Sequence, residues 1–147
     1  VWALLTDISL PTRFSPELQE VGWLGEATAV EVGARFSGRN QNDQRGEWIT
    51  ESEVTEHEPG RRWVWQVSGP EGVMATWGFE LDPGRDSVTI RQWGRMGPAR
   101  SGLSAFIDAD PEREGRVISW RLDQWRASMA ETLEGVKQIL EGPAERA

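Results

Sequence analysis

His57 is the only histidine in the chain, and it stands in TEHEPGR between two glutamates. As a general acid or base it would need a positioned partner within hydrogen-bond reach. The Pro-Gly turn beside it instead predicts a surface position. An acidic run, Glu47, Glu51, Glu53, Glu56 and Glu58, has the residue type for paired-carboxylate chemistry. Its alternation with Trp48, Thr50, Ser52 and Val54 puts most of these carboxylates on the face opposite the apolar one, as a solvated charged face. Cysteine is absent, so no thiolate nucleophile, disulfide or zinc–thiolate site is available. One histidine without cysteine does not make a transition-metal site, and the carboxylates show no calcium-loop spacing. Neither a G-x-S-x-G elbow nor a phosphate-cradling glycine loop occurs. On these grounds no catalytic residue, metal or cofactor is assigned.

The side chains with an unusual pattern are the indoles. Residues 61–67 read RRWVWQV, and the chain has nine Trp against no Tyr. A spacing of two puts neighbours on one face of a strand. Period-two segments recur along the chain. Val21 to Leu24 is a short strand, and Gly33 to Asn42 another, with Phe36, Gly38 and Asn40 on one face. Glu47 to Glu58 follows, then Arg61 to Gly69 with Trp63, Trp65 and Val67 aligned. Val73 to Leu81 aligns Val73, Ala75, Trp77, Phe79 and Leu81; Ser87 to Met96 aligns Val88, Ile90, Gln92 and Met96. EPGR, GPEG and DPGRD are the turns between the later strands. Six consecutive strands joined mostly by tight turns make an antiparallel meander.

Helical periodicity flanks the meander. VWALLTDI carries apolar residues at Trp2, Leu4, Leu5 and Ile8, about two turns. TRFSPEL has the form of a short second helix, with Ser15 as N-cap and Pro16 at the first position. Leu103, Phe106 and Ile107 form a brief cluster. From Asp110–Pro111 to Glu141, the residues Val117, Ile118, Leu122, Trp125, Met129, Leu133, Val136 and Leu140 form one stripe. That helix, 111–141, would be roughly 45 Å long, slightly weakened by Gly115 and Gly135 and stopped by Gly142–Pro143. The expected class is α+β, a curled antiparallel sheet closed on one side by the long helix, with residues 1–147 as one domain. Inward residues then fill a core or wall a cavity, and large aromatics serve either.

Composition narrows the partners. Of 147 residues 27% are charged, and the formal net charge is −8, which opposes nucleic acid and anionic membranes. No apolar run approaches the ~18 residues of a membrane span. The absence of cysteine is compatible with a reducing cytoplasm, taken as the expected location. A homodimer is left open. The chain starts inside what reads as a helix and without Met, so a preceding segment is expected.

At this level of detail the chain resembles the START-like (Bet v 1-like, SRPBCC) superfamily, and more closely the bacterial polyketide cyclase/dehydrase-like proteins. The pieces that carry the resemblance are VWALLTDI at 1–8, VGARFSGRN at 32–40, WITESEVTEHEPGRRWVW at 48–65 and ATWGFELDP at 75–83. The stretch from Met96 to Leu140 adds a long final helix. Their order, more than any one motif, is what matches. The resemblance implies a helix-grip fold with a deep apolar cavity between sheet and helix that holds lipid- or polyketide-like molecules. It also implies one more strand ahead of residue 1, pairing with Ser87 to Met96; that strand is missing here.

The expectation is a protein that holds a hydrophobic small molecule against Phe36, Trp48, Trp65, Trp77, Phe79, Ile90, Trp125 and Met129. Thr50 and Gln92, polar residues on the inner face, would orient it. Two alternatives are a cyclase or dehydrase acting by confining its substrate, and an interaction module with a filled core. Arg39, Arg91 and Arg95 fall on the outer face by parity, which argues against an arginine clamp inside.

Overall fold

The computed structural model describes residues 1–99 and 104–142, without the side chains of residues 104–106. Helix α1 (Trp2–Leu5) and a 3-10 turn (Leu10–Arg13) lead into strands β1 (Leu18–Trp23), β2 (Arg35–Asn42), β3 (Gly46–Glu58), β4 (Arg62–Gly69), β5 (Gly72–Pro83) and β6 (Val88–Met96). Helix α2 (Ser104–Ala109), a 3-10 turn (Pro111–Arg113) and helix α3 (Glu114–Glu141) complete the described chain. The strands form one antiparallel sheet in the order β1-β2-β3-β4-β5-β6, curved and unclosed, with β1 and β6 as its edges. No further strand pairs with β6 among the described residues.

The six strands lie where period two puts them, most to within a residue or two. Two helical expectations fail. The first helix is a single turn. The helix expected from Pro16 is a strand: the Ser15 hydroxyl accepts from the N–H groups of Glu17 and Leu18, both at 3.2 Å, and the chain then pairs Leu18 with Asn40. A hydroxyl bonded two and three residues ahead is what an N-cap looks like; the ladder to β2 decides the outcome. The Leu103–Phe106–Ile107 cluster falls mostly outside the described residues, as does Pro143. At the other end of α3, Gly142 closes the helix at φ 64, its N–H bonded to the Gln138 carbonyl at 2.8 Å.

Bulges bend the sheet. One lies between Val54 and Glu56 on β3. It inverts the strand's parity, so His57 pairs with Trp63 and faces α1, where its ring stacks on Trp2 (centroids 6.1 Å, planes 5° apart). The surface position expected for His57 is therefore a half-buried one, without a hydrogen bond or ion pair to its ring among the described residues. The acidic run behaves as a solvated face: Glu51 pairs with Arg35 at 2.7 Å, Glu47 with Arg39 at 3.6 Å, and Glu56 with Arg62 at 3.2 Å.

The solid core lies at one end. Leu5, Leu10, Val30, Phe36, Val54, Trp63, Phe79 and Val136 are buried together. Trp63 ties α1 to the sheet, its Nε1 donating to the Leu5 carbonyl at 2.9 Å. Helix α3 is drawn in by Gly135: a Cβ there would overlap the ring of Phe14. This glycine lowers helix propensity and gains close approach. The apolar stripe of α3 stops at Val136, because Leu140 is exposed.

Candidate functional site

The indole spacing now has a structural meaning. Trp63 and Trp65 stack at 4.4 Å between centroids, and Trp65 continues to Phe79 at 5.9 Å and to Phe36 at 6.4 Å. Phe36 meets Trp23 edge-on at 5.5 Å. This aromatic seam crosses from β1 to β5. The intervening strand β3 offers small Ser52 and Val54, opposite Phe36 and Trp65 respectively, so rings on either side touch above it.

Beyond the seam, under the middle of α3, the interior is hollow. The cavity measures about 460 Å³ and opens to solvent through a polar rim. That volume lies in the range of small-molecule sites. Of the expected ligand contacts, Phe36, Trp48, Thr50, Trp65, Trp77, Phe79, Gln92, Trp125 and Met129 all line it. Ile90 does not: it packs against the solid core. Its parity puts it on the inner face, but parity says nothing of depth along the strand, and Ile90 pairs with Leu81 near the filled end. Val67, Met74, Ala75 and Met96 add to the apolar wall.

One attachment of the roof to the wall is aromatic. The Trp77 ring on β5 lies across Gly94 of β6, where a Cβ would come within 2.7 Å of it. Trp125 of α3 covers the same spot, its centroid 4.3 Å from that of Trp77.

The two polar residues expected to orient a ligand differ. Thr50 has weak partners already: its hydroxyl is 3.4 Å from the Gly38 carbonyl and accepts from Asn40 Nδ2 at 3.4 Å. Gln92 differs: among the described residues its buried Oε1 has no hydrogen-bond partner. A buried amide oxygen left so costs roughly 1–3 kcal/mol unless a ligand or water donates to it.

Three charged residues at the rim were not anticipated. Arg121 of α3 grips Glu17 with two bonds, Nη1 to Oε2 at 2.7 Å and Nη2 to Oε1 at 2.8 Å, and its Nη1 also donates to Gln124 at 2.8 Å. Asn42 Nδ2 donates to Glu17 at 3.1 Å. Arg45, in the β2–β3 turn, lays its guanidinium 4.4 Å above the Trp48 ring. Burial pushes the Glu17 carboxyl up, but the bonds from Arg121 and Asn42 and the nearby positive charges outweigh it and hold it below its ordinary 4.5. Glu17 is therefore an ionised, committed carboxylate, poorly suited to giving up a proton. The signal for Arg121 was present: it lies four residues before Trp125, on the same helix stripe. Glu17 was hidden by reading its segment as a helix. Among the described residues, no group of three His, Asp or Glu side chains is placed to hold a metal ion. No described helix is long and apolar enough to cross a membrane.

A curved antiparallel meander gripped by a long C-terminal helix, with an aromatic-walled hollow between them, defines a helix-grip protein of the SRPBCC type. Within that class, the family profile described as polyketide cyclase/dehydrase and lipid transport matches residues 1–141, and the chain belongs to this family. A Polyketide_cyc-like protein from Corynebacterium glutamicum, solved by NMR, is similar to it at 28% identity. The match covers 95% of this chain and 82% of that one, with a TM-score of 0.62. A protein from Nitrosomonas europaea shares the fold at 14% identity, covering 96% and 87% of the two chains, with a TM-score of 0.61. No curated protein matches.

Proposed function

We propose that the protein binds a hydrophobic small molecule, lipid- or polyketide-like, in the hollow between sheet and α3. The observation that carries this reading is the cavity of about 460 Å³ walled by Trp48, Trp65, Trp77, Phe79 and Trp125. Burial of an apolar ligand there gains about 25 cal/mol for each Å² removed from water, and the family's description, which includes lipid transport, points the same way. The site's geometry favours holding over reacting: the wall has no histidine, and Glu17, one of the carboxylates of the lining, is bound by Arg121. A ligand hydroxyl or amide would find its acceptor in Gln92 Oε1.

The test is native mass spectrometry of the protein purified from its own host, paired with titration of an uncharged apolar fluorescent dye. A co-purifying apolar adduct and saturable dye binding at one site per chain are expected. Absence of both would overturn the reading in favour of a scaffold whose interior is unused.

A further inference from the structure

We propose that the ligand carries an anionic head, a carboxylate on an apolar body, and that Arg45 and Arg121 receive that head at the cavity mouth. This rests on the cavity being a ligand site and narrows what it takes. The mouth brings together two guanidinium groups and one carboxylate: Arg121 and Glu17 neutralise each other through their paired bonds. Arg45 forms no ion pair among the described residues; its backbone N–H donates to Asn42 Oδ1 at 2.7 Å, and its guanidinium lies over the Trp48 ring. The surplus of one positive charge sits on a chain whose formal net charge is −8.

The other acids of the lining do not cancel it. Asp7 is occupied by the backbone N–H and hydroxyl of Ser9, at 3.0 and 2.6 Å, with Arg13 at 4.0 Å. Glu131 lies ten residues along α3 from Arg121, about 15 Å away by helix rise. Loss of solvent lowers the pKa of Arg45, the charge of Arg121 lowers it further, and Glu17 opposes both. The geometry says the same: the Arg45 guanidinium has a ring beneath it and no carboxylate partner among the described residues, so an added anion gains a charge-assisted contact, one that solvent at this exposed position screens in part. Arg121 has spent three N–H groups on Glu17 and Gln124, and its Nε makes no bond among the described residues. A carboxylate between the two arginines accepts from that Nε and from Arg45, while its apolar body runs inward past Trp48 toward Trp65 and Trp77. A neutral ligand of the same shape leaves the charge unmet.

The test compares dansyl-undecanoic acid with its methyl ester by fluorescence titration at neutral pH and low salt. The wild type is expected to prefer the acid by roughly tenfold, the worth of one charge-assisted hydrogen-bonded contact. R45Q is expected to bring the acid-to-ester ratio close to one, R45K to keep most of it, and about 0.5 M salt to narrow it. Arg45 lies in an exposed turn, and circular dichroism checks that each variant is folded. Equal binding of acid and ester by the wild type, or a ratio unchanged in R45Q, overturns the proposal while the cavity reading stands. If neither probe binds, the cavity reading fails and takes the proposal with it.

Discussion

The indoles of Trp77 and Trp125 meet with their centroids 4.3 Å apart, above the bare backbone of Gly94. This is one of the places where the roof of the hollow rests on its wall. Removing one ring should enlarge the hollow and loosen the roof together. Trp77→Ala is expected to weaken an uncharged apolar dye roughly tenfold and to cost about 2 kcal/mol, below the usual range for a fully buried Trp because the ring is half-exposed. Trp125→Ala should act in the same direction, with the double variant less than additive by about 1 kcal/mol. Denaturant titration beside dye titration reads both. Unchanged dye binding by Trp77→Ala would remove this residue from the wall.

Gly135→Ala should run against helix propensity. In an exposed helix interior the change would gain about 1 kcal/mol. Here the added Cβ overlaps Phe14, and the expected result is a loss of about 1–3 kcal/mol from overpacking. Pairing it with Phe14→Leu should recover part of the loss. The midpoints of urea unfolding for the two single variants and the double one decide this.

Trp63→Phe keeps an aromatic ring, though a smaller one, and deletes the donor to the Leu5 carbonyl. An orphaned buried acceptor predicts a loss of about 1–3 kcal/mol. Hydrogen exchange should show the greatest loosening at α1, where that bond attaches.

The acid limb of stability should depend on Glu17. Its carboxyl sits below its ordinary value, 4.5, because the bonds from Arg121 and Asn42 outweigh burial. The contribution of a depressed carboxyl is complete above its unfolded value and is lost as pH falls through its folded one. Glu17→Gln should therefore flatten part of the decline in Tm on acidification from about pH 5 downward. Asp7, lowered chiefly by the Ser9 hydroxyl, adds a slope of the same sign that remains in this variant. Tm measured across pH 3–7 for both proteins, an interval on the order of the carboxylate range, checks it. Identical acid limbs would refute the assignment.

Much of the architecture could be read from the chain, because a period of two survives in nearly every strand. Face assignment followed from it: Trp48, Trp65, Trp77 and Phe79 all point inward as their spacing requires. What parity cannot supply is position along the strand, hence Ile90; the turn beside His57 predicts a surface position, but the bulge after Val54 turns its ring inward onto Trp2. The rim was illegible for a different reason. Arg39, Arg91 and Arg95 take no part in the cavity lining. The guanidinium groups at the mouth come from a turn and from the helix, where strand alternation does not apply. Glu17 was lost with the segment whose Ser15 hydroxyl imitates a helix start.

The packed end around Trp63, Val54 and Val136 and the hollow end under Trp125 share only a boundary of rings. Cohesion is thereby gathered at one end of the sheet, and on the proposed reading the space at the other end can be reshaped at Met74, Met96 or Met129 without disturbing the packed residues.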